Sequence, residues 1–271
     1  MIKSLRLLRS PSNAAIQRWQ LALHAGLVLA LWAYGPSLLW VGIPLGLIYS
    51  WLGANLTAHR WLTHSHITVK HTLTKLWLHW VLTMNLIGSG VVYANVHWQH
   101  HQHTDDINHD PHTPRRNGAV RTYLRENGDY QFRFNLRLFR RMMADPVNAF
   151  FHDWYWAVHA ASVAVLFILG GTWFVVAAWV IPAAMCYHLA QFQAVITHTR
   201  LPGAAQNFGG LAQHSYNIWW LKPLLFGEEL HNNHHGLPAN PNGQHQPTWR
   251  EWDPLFNLVI RPFFVYRQRN S

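Results

Sequence analysis

Residues 154–199 read WYWAVHAASVAVLFILGGTWFVVAAWVIPAAMCYHLAQFQAVITHT and contain no Lys, Arg, Asp or Glu. A membrane-spanning helix needs about 20 mostly apolar residues, so this run is long enough for two crossings. Gly170 and Gly171 lie near its middle, where they favour a turn. The run therefore predicts a helical hairpin within a membrane, with its two segments at 153–169 and 173–196.

A second uncharged run, residues 19–59, repeats this pattern nearer the N-terminus. Its break is YGPS, in which Gly35 and Pro36 are turn residues. The flanking segments, 20–34 and 38–57, are predicted to form a second hairpin. We therefore expect an all-α membrane protein whose four transmembrane helices are arranged in two hairpins.

The basic residues predict the orientation of these hairpins. Neither hairpin turn carries Lys or Arg, whereas the segment 115–141 and the chain from Arg200 onwards are rich in Arg. The positive-inside rule then places both termini in the cytoplasm of a multi-pass protein, in the inner membrane if the chain is bacterial. The net charge of +10 could indicate a nucleic-acid partner. Its distribution indicates one cytoplasmic face beside membrane lipid instead.

The stretch 76–96 is also apolar and is about the length of a membrane span. A full crossing there would separate the histidines at 59–64 from those at 97–101, on opposite faces of the membrane. We therefore predict a re-entrant or interfacial segment, whose non-helical backbone must be buried by protein. The whole chain, 1–271, is expected to be a single domain with a membrane base and a cytosolic helical cap.

Three histidine clusters lie just outside the predicted spans: HRWLTH (59–64), HWQHH (97–101) and HNNHH (231–235). In the last two, the spacing i, i+3, i+4 places three imidazoles on one helix face, so we expect each triplet to converge on one point. His59 and His64 are five residues apart and fit one helical face poorly. They would need a frayed helix end or two different metal ions.

The number and type of these side chains predict a dimetal site held by the cap. Imidazole suits iron, zinc, copper and nickel, and eight ligands exceed the four of a tetrahedral zinc. One cysteine excludes a disulfide framework and a zinc site built on several thiolates. Metal-bound histidines usually donate their other N–H to a carboxylate or carbonyl. The nearby acidic candidates for that role are Asp105, Asp106, Asp110, Glu228 and Glu229.

The three clusters together resemble the histidine boxes of integral-membrane fatty-acid desaturases, especially the stearoyl-CoA desaturase-like branch. HHQHTDDINHDPHTPRR (100–116) and FGEELHNNHH (226–235) resemble that branch around its second and third boxes. The similarity runs from about residue 40 to 255. It implies a ninth metal-binding histidine at the end of the last membrane helix, where this chain has His198. His214, nearer the third box, is the alternative.

The resemblance implies an enzyme of unsaturated fatty acid biosynthesis that inserts a cis double bond into an acyl chain, with delta-9 as one possible position. Its cofactors would be two non-haem Fe²⁺ ions, and it would use O₂ and electrons. Because the chain has no His-Pro-Gly-Gly haem signature, the donor is expected to be a separate protein such as a ferredoxin or small cytochrome. The implied metal ligands are His59, His64, His97, His100, His101, His198, His231, His234 and His235.

Several points stay open at this level. The acyl chain could be carried by coenzyme A, a carrier protein or a lipid, and Arg115 and Arg116 are candidates to bind its head group. A hydroxylase or ketolase of the same histidine-box superfamily is the alternative enzyme. A His-rich metal transporter fits less well, because transporters place ionisable ligands within the spans, whereas these clusters lie at the ends of the spans.

Overall fold

The computed structural model describes residues 13–124, 134–212 and 214–266, and most of these residues are helical. The α-helices are α1 (Asn13–Tyr34), α2 (Ser37–Tyr49), α3 (Thr72–Met84), α4 (Gly90–Gln102), α5 (Pro114–Asn117), α6 (Ala119–Tyr123), α7 (Leu136–Met143), α8 (Pro146–Asp153), α9 (Tyr155–Val175), α10 (Ile181–Ile196), α11 (Lys222–Leu225), α12 (His231–Gly236) and α13 (Arg261–Phe263). Three π-helical segments, Ser50–Thr63, Val176–Val180 and Phe256–Ile260, and three short 3₁₀ turns, Gly210–Ala212, Trp219–Leu221 and Trp249–Glu251, accompany them.

The two predicted breaks are both present in the structure. Gly35 separates α1 from α2 with a φ of 75°, and α9 is interrupted at Gly170 and Gly171, where the φ of Gly171 is 64°. Two apolar helical stretches, Ser37–Thr63 and Tyr155–Ile196, are long enough to cross a membrane. The second contains the Gly170–Gly171 interruption, and Leu21–Tyr34 is a shorter apolar helix.

Helices α2 and α10 approach each other closely at two glycines spaced four residues apart. A Cβ atom on Gly42 would lie 2.6 Å from Cβ of Ile181, and one on Gly46 would lie 2.8 Å from Sδ of Met185. Small residues at this spacing let apolar helices pack backbone to backbone, as in membrane helix pairs. The contact therefore joins the first long apolar stretch to the second.

Helix α2 continues without interruption into the π-helical segment Ser50–Thr63. Here the hydrogen bonds span five residues, and the hydroxyl of Thr57 also donates five residues back, to the carbonyl of Leu52 at 2.6 Å. Helices α3 and α4 pack tightly against this segment, since a Cβ on Gly53 would lie 3.1 Å from Cα of Leu82 in α3 and a Cβ on Gly90 in α4 would meet the side chain of Leu62. Single π-helical turns are rare and often occur at functional sites. A π-segment of 14 residues is therefore a notable departure from the predicted α-helical span.

The apolar stretch 76–96 forms parts of two helices rather than one. Helices α3 and α4 have 13 residues each and are therefore about 20 Å long, shorter than a hydrocarbon core of about 30 Å. They meet at a turn in which Leu86 and Gly88 have φ of 56° and 96°. Ser89 then caps α4, its hydroxyl accepting the N–H of Val92 at 3.4 Å.

The C-terminal part of the described chain packs back against the end of the π-helical segment. Two short strands, β1 (Ile67–Thr68) and β2 (Val265–Tyr266), pair in antiparallel fashion. Beneath them, Leu56, Leu255 and Ile260 are buried in one apolar cluster. This packing places α12 beside the π-helical segment and α4, so that the three histidine boxes meet.

Candidate metal centre

The nine predicted histidines lie together in two groups at the end of the long helices. Within each group, one ring nitrogen from every histidine lies within 4.8 Å of the others, and seven of the nine side chains are buried. The five-histidine group consists of His59, His64, His97, His101 and His234, and the four-histidine group consists of His100, His198, His231 and His235.

Each H-x-x-H-H box divides its three histidines between the two groups, so the expectation that each triplet converges on one point is wrong. His97 and His101 belong to the five-histidine group, whereas His100 belongs to the other. Successive helical residues are rotated by about 100°. Position i+4 is therefore rotated by about 40° from position i in one direction and position i+3 by about 60° in the other, so i+3 and i+4 lie about 100° apart. The box in α12 shows the reverse assignment, with only its i+3 residue, His234, in the five-histidine group.

His59 and His64 share one group because the helix that carries them is a π-helix. The backbone N–H of His64 donates to the carbonyl of His59, five residues back, at 3.1 Å. The two rings meet edge to face, with their centroids 4.8 Å apart. An α-helix would require a frayed end or a second ion to explain the spacing of His59 and His64, whereas the π-helix requires neither.

His198 lies two residues beyond α10 and enters the four-histidine group. Its Nε2 is 3.0 Å from Nε2 of His231, and its ring is nine-tenths buried. His214, the alternative, belongs to neither of the two groups found in the described part of the chain. The position at the helix end is thus the one that brings a ninth imidazole to the site.

The Nε2 atoms of neighbouring rings meet at distances that suit ligands of one ion. The pairs His59–His234, His97–His101 and His101–His234 in the five-histidine group, and His100–His235, His198–His231 and His231–His235 in the other, are 2.9–3.2 Å apart. Two nitrogens at right angles on an ion, each about 2.1 Å from it, are about 3.0 Å apart.

Three carboxylates lie behind the histidines and determine which nitrogen faces inward. Nδ1 of His59 is 2.7 Å from Glu228, Nδ1 of His100 is 2.9 Å from Asp110, and Nδ1 of His198 is 3.1 Å from Asp105. A carboxylate can only accept, so each Nδ1 carries the hydrogen and each Nε2 carries the lone pair. Facing lone pairs repel one another, and a cation between them removes the repulsion. The donor set therefore fits metal ions that prefer imidazole.

The structure distinguishes among the five acidic candidates. Asp105, Asp110 and Glu228 each accept from a histidine of the two groups. Asp106 instead pairs with His109, and Glu229 accepts the N–H of Gly227 at 2.7 Å. Burial, together with the nearby Asp253, raises the pKa of Glu229 to about 8, so Glu229 is largely protonated at neutral pH.

A buried arginine orients Glu228 from the other side. Arg60 donates from Nε to Glu228 at 3.0 Å and from Nη1 to Asp253 at 3.2 Å. Although burial opposes ionisation, His59 and Arg60 hold the pKa of Glu228 down, to about 2. Glu228 is thus a charged bridge between Arg60 and His59, which are adjacent in the sequence.

Burial keeps most of the imidazoles neutral. It lowers the pKa of six of them well below the ordinary value, and the neighbouring imidazoles lower it further. Nε2 of His64 is buried and has no hydrogen-bond partner among the described residues. A neutral ring with an unpartnered nitrogen is available as a metal ligand without loss of a proton. The six residues are His64, His97, His101, His231, His234 and His235.

The two asparagines inside HNNHH hold α12 in place, a role that the sequence reading did not assign. The side chain of Asn233 accepts from Asn207 and Asn217 and donates to Glu251 and Gly243 at 2.7–3.1 Å. Both asparagines are buried. The two consecutive asparagines between the histidines of HNNHH could have indicated this role in the sequence, because a buried side-chain amide requires hydrogen-bond partners.

The predicted head-group residues have different surroundings. Arg116 donates to the backbone carbonyls of Ile107 and Asp110 and therefore holds the loop that presents Asp110. Arg115 is exposed at the surface. The structure thus gives Arg116 a role in shaping the site.

We expect Asp110→Asn to weaken metal binding about 10- to 100-fold, the usual range for lost partners of ligating histidines. The amide removes the negative charge that holds Nδ1–H of His100. In the wild type the backbone N–H groups of Asp105 and His112 both donate to the Asp110 carboxylate. In the variant, the amide NH₂ group would face one of these donors and could not accept from it. Titration against a chromophoric chelator measures the affinity, with the exposed Asp153→Asn as control. Unchanged affinity would disprove this role of Asp110.

Comparison with known proteins agrees with this geometry. A family model described as fatty acid desaturase matches residues 38–266. The chain is 28% identical over 258 residues to sn-1 stearoyl-lipid 9-desaturase of Anabaena variabilis, covering 88% of this chain and 86% of that protein. It is 24% identical over 226 residues to sn-2 palmitoyl-lipid 9-desaturase of Nostoc sp. (strain 36), covering 79% and 75%. Delta-9 acyl-lipid desaturase 2 of Arabidopsis thaliana is 28% identical over 230 residues, covering 80% and 69%.

Proposed function

The chain belongs to the fatty acid desaturase family, and we propose that it introduces a cis double bond at the delta-9 position of a lipid-linked acyl chain. The reaction removes two hydrogens from adjacent methylenes. It consumes one O₂, two electrons and two protons, and it yields the alkene and two waters. The observation that carries the proposal is the pair of histidine groups, one of five and one of four, whose ring nitrogens face each other in a buried site.

We propose that each group holds one iron ion. Bound iron supplies the activation of O₂, and the protein supplies geometry and a dry site. In the five-histidine group the ligands would be His59 and His64 from the first box, His97 and His101 from α4, and His234 from α12. The four-histidine group would use His100, His198 and the i, i+4 pair of α12. Asp105, Asp110 and Glu228 keep the hydrogen on Nδ1 and so keep the Nε2 lone pairs directed inward.

The proposed membrane arrangement has four crossings and leaves the site on the cytoplasmic side. The stretch Tyr155–Ile196 has 42 residues, and at 1.5 Å per residue it is about twice as long as a hydrocarbon core is thick. Its interruption at Gly170 and Gly171 permits two crossings, and α1 and α2 would form the other two. Helices α3 and α4 would enter from the cytoplasmic side and return. Both termini would then be cytoplasmic.

The proposed substrate is an acyl chain within a membrane lipid. Two of the relatives are named for stearoyl and palmitoyl groups on lipids, and the long apolar helices would give the enzyme direct access to the bilayer. Arg115 is the remaining candidate for contact with an acidic head group, because Arg116 holds the loop. The electrons would come from a separate protein such as a ferredoxin or small cytochrome.

The test is expression of the full chain, with a ferredoxin and its reductase, in a bacterial host that makes no delta-9 unsaturated lipid by this route. Mass spectrometry of intact lipids, with the double bond located by chemical cleavage, is expected to show new delta-9 unsaturation. His100→Ala should give none. A hydroxylated acyl chain without a new double bond would overturn the proposal in favour of a hydroxylase. Unsaturation found only on acyl-CoA would overturn the lipid-linked substrate.

A further inference from the structure

The loop 103–110 that presents Asp105 and Asp110 to the histidine groups has a second, outward side. His103 and His109 are half-buried there, and the side chain of Asp106 is 42% exposed. One donor atom from each of these three residues lies within 4.8 Å of the others. They form a third cluster, the outward cluster, whose residues belong to neither histidine group. The proposed reaction does not use it.

The side chains of this outward cluster are already oriented toward one another. The imidazole rings of His103 and His109 have centroids 4.9 Å apart and are tilted by 31°. Nδ1 of His109 lies 3.1 Å from Oδ1 of Asp106. This is close to the separation of two ligand atoms at right angles on one ion, so an ion that replaced the ring hydrogen there would bind Nδ1 of His109 beside the carboxylate of Asp106.

The backbone of the loop is held by hydrogen bonds that do not depend on a ligand. Oδ1 of Asp106 accepts the N–H groups of Asn108 and His109 at 2.7 and 3.0 Å. The N–H of Asp106 donates to the carbonyl of His103 at 2.8 Å. The side chain of Gln99 donates to the carbonyl of His109 at 2.6 Å. A ligand would therefore need to order only side-chain torsions, which keeps the entropic cost of binding small.

We propose that His103, Asp106 and His109 bind one divalent transition-metal ion at the surface of the cap. Two imidazoles and a carboxylate suit Zn²⁺ or Fe²⁺, whereas Ca²⁺ and Mg²⁺ favour sites made entirely of oxygen ligands. The ion connects the start and the end of the loop. It thereby restrains the segment between them, which includes Asp105 and leads directly into Asp110. This site needs no acyl substrate, so it is independent of the proposed function.

The first test counts Zn²⁺ on the full chain in detergent micelles, by titration followed by desalting and elemental mass spectrometry. The variant His103→Ala/His109→Ala is expected to bind one ion fewer than the wild type. Asp106→Asn should weaken that ion at least about tenfold. His71→Ala, which removes an exposed histidine at the start of α3, should change nothing. Equal stoichiometry and affinity in the wild type and the double variant would overturn the proposal.

A second test uses the wild-type chain alone and so does not depend on the folding of a variant. Diethyl pyrocarbonate modifies accessible imidazoles, and peptide mass spectrometry reports the extent at each histidine. Saturating Zn²⁺ is expected to reduce the modification of His103 and His109 at least about fivefold, a protection that follows from occupied ring nitrogens. His71 should react equally with and without Zn²⁺. Undiminished modification of both loop histidines would overturn the proposal.

Discussion

The double variant His97→Ala/His234→Ala is expected to lose one of the two metal ions held by the histidine groups and at least about 100-fold of the desaturase activity. Loss of ligands should exceed the 10- to 100-fold effect typical of their hydrogen-bond partners. Both residues belong to the five-histidine group, although they come from different boxes. The four-histidine group is untouched and should keep its ion. Elemental mass spectrometry of the purified chain counts the ions, and product analysis measures the activity.

The matched variant is His100→Ala/His231→Ala, which removes two members of the four-histidine group and again takes one from each box. It should also retain one of these two ions, and combining all four substitutions should leave neither, whereas the ion of the outward cluster should stay. If each box held its own ion, each of these double variants would weaken both ions. Loss of both ions in both double variants would therefore contradict the division of the boxes seen in the structure.

Arg60→Ala is expected to destabilise the fold by about 3–5 kcal/mol, the usual cost of removing one partner from a buried ion pair. Arg60 and both of its acidic partners are buried, so Glu228 and Asp253 would lose their compensating charge without gaining water. For a chain of this size the midpoint of thermal unfolding should fall by on the order of 10 °C. Intrinsic tryptophan fluorescence during heating in detergent measures it.

Two control variants show whether this loss of stability comes from the buried ion pairs of Arg60. Arg115→Ala removes an exposed arginine and should change the stability by no more than about 0.5 kcal/mol. Arg60→Lys keeps the charge but loses the planar fork that reaches both acids, so an intermediate loss is expected. A midpoint for Arg60→Ala equal to that of Arg115→Ala would show that the buried arginine does not stabilise the fold.

The sequence predicted the members of the site better than their arrangement. Ligand chemistry alone identified the histidine boxes, and the need for a partner on the second ring nitrogen gave five acidic candidates, of which Asp105, Asp110 and Glu228 lie beside histidines of the two groups. Which acid meets which histidine depends on chain folding over long separations, as in the pairing of His198 with Asp105. Sequence spacing carries no such information.

The α-helical geometry that the sequence predicts for the first box separates His59 from His64, whereas the structure has a π-helix there. The sequence around His59 and His64 carries no signal for a π-helix, and the contacts that this segment makes, such as Gly53 with Asn85, join residues far apart in the chain. Apolar patterning predicted the breaks at Gly35 and at Gly170–Gly171, because glycines between uncharged runs are a local signal. The split of each H-x-x-H-H box appears only when two helices face each other.

The histidines of each group come from segments far apart in the chain, from the π-helix to α12 in the five-histidine group and from α4 to α12 in the four-histidine group. Ions bound there would act as cross-links that close long loops, the topology in which such links constrain an unfolded chain most. The chain has a single cysteine and so has no disulfide to do this. With iron as the proposed ion, its resistance to unfolding, and therefore to proteases, should follow the iron supply of the cell. Iron starvation would then lower the amount of this protein as well as its activity.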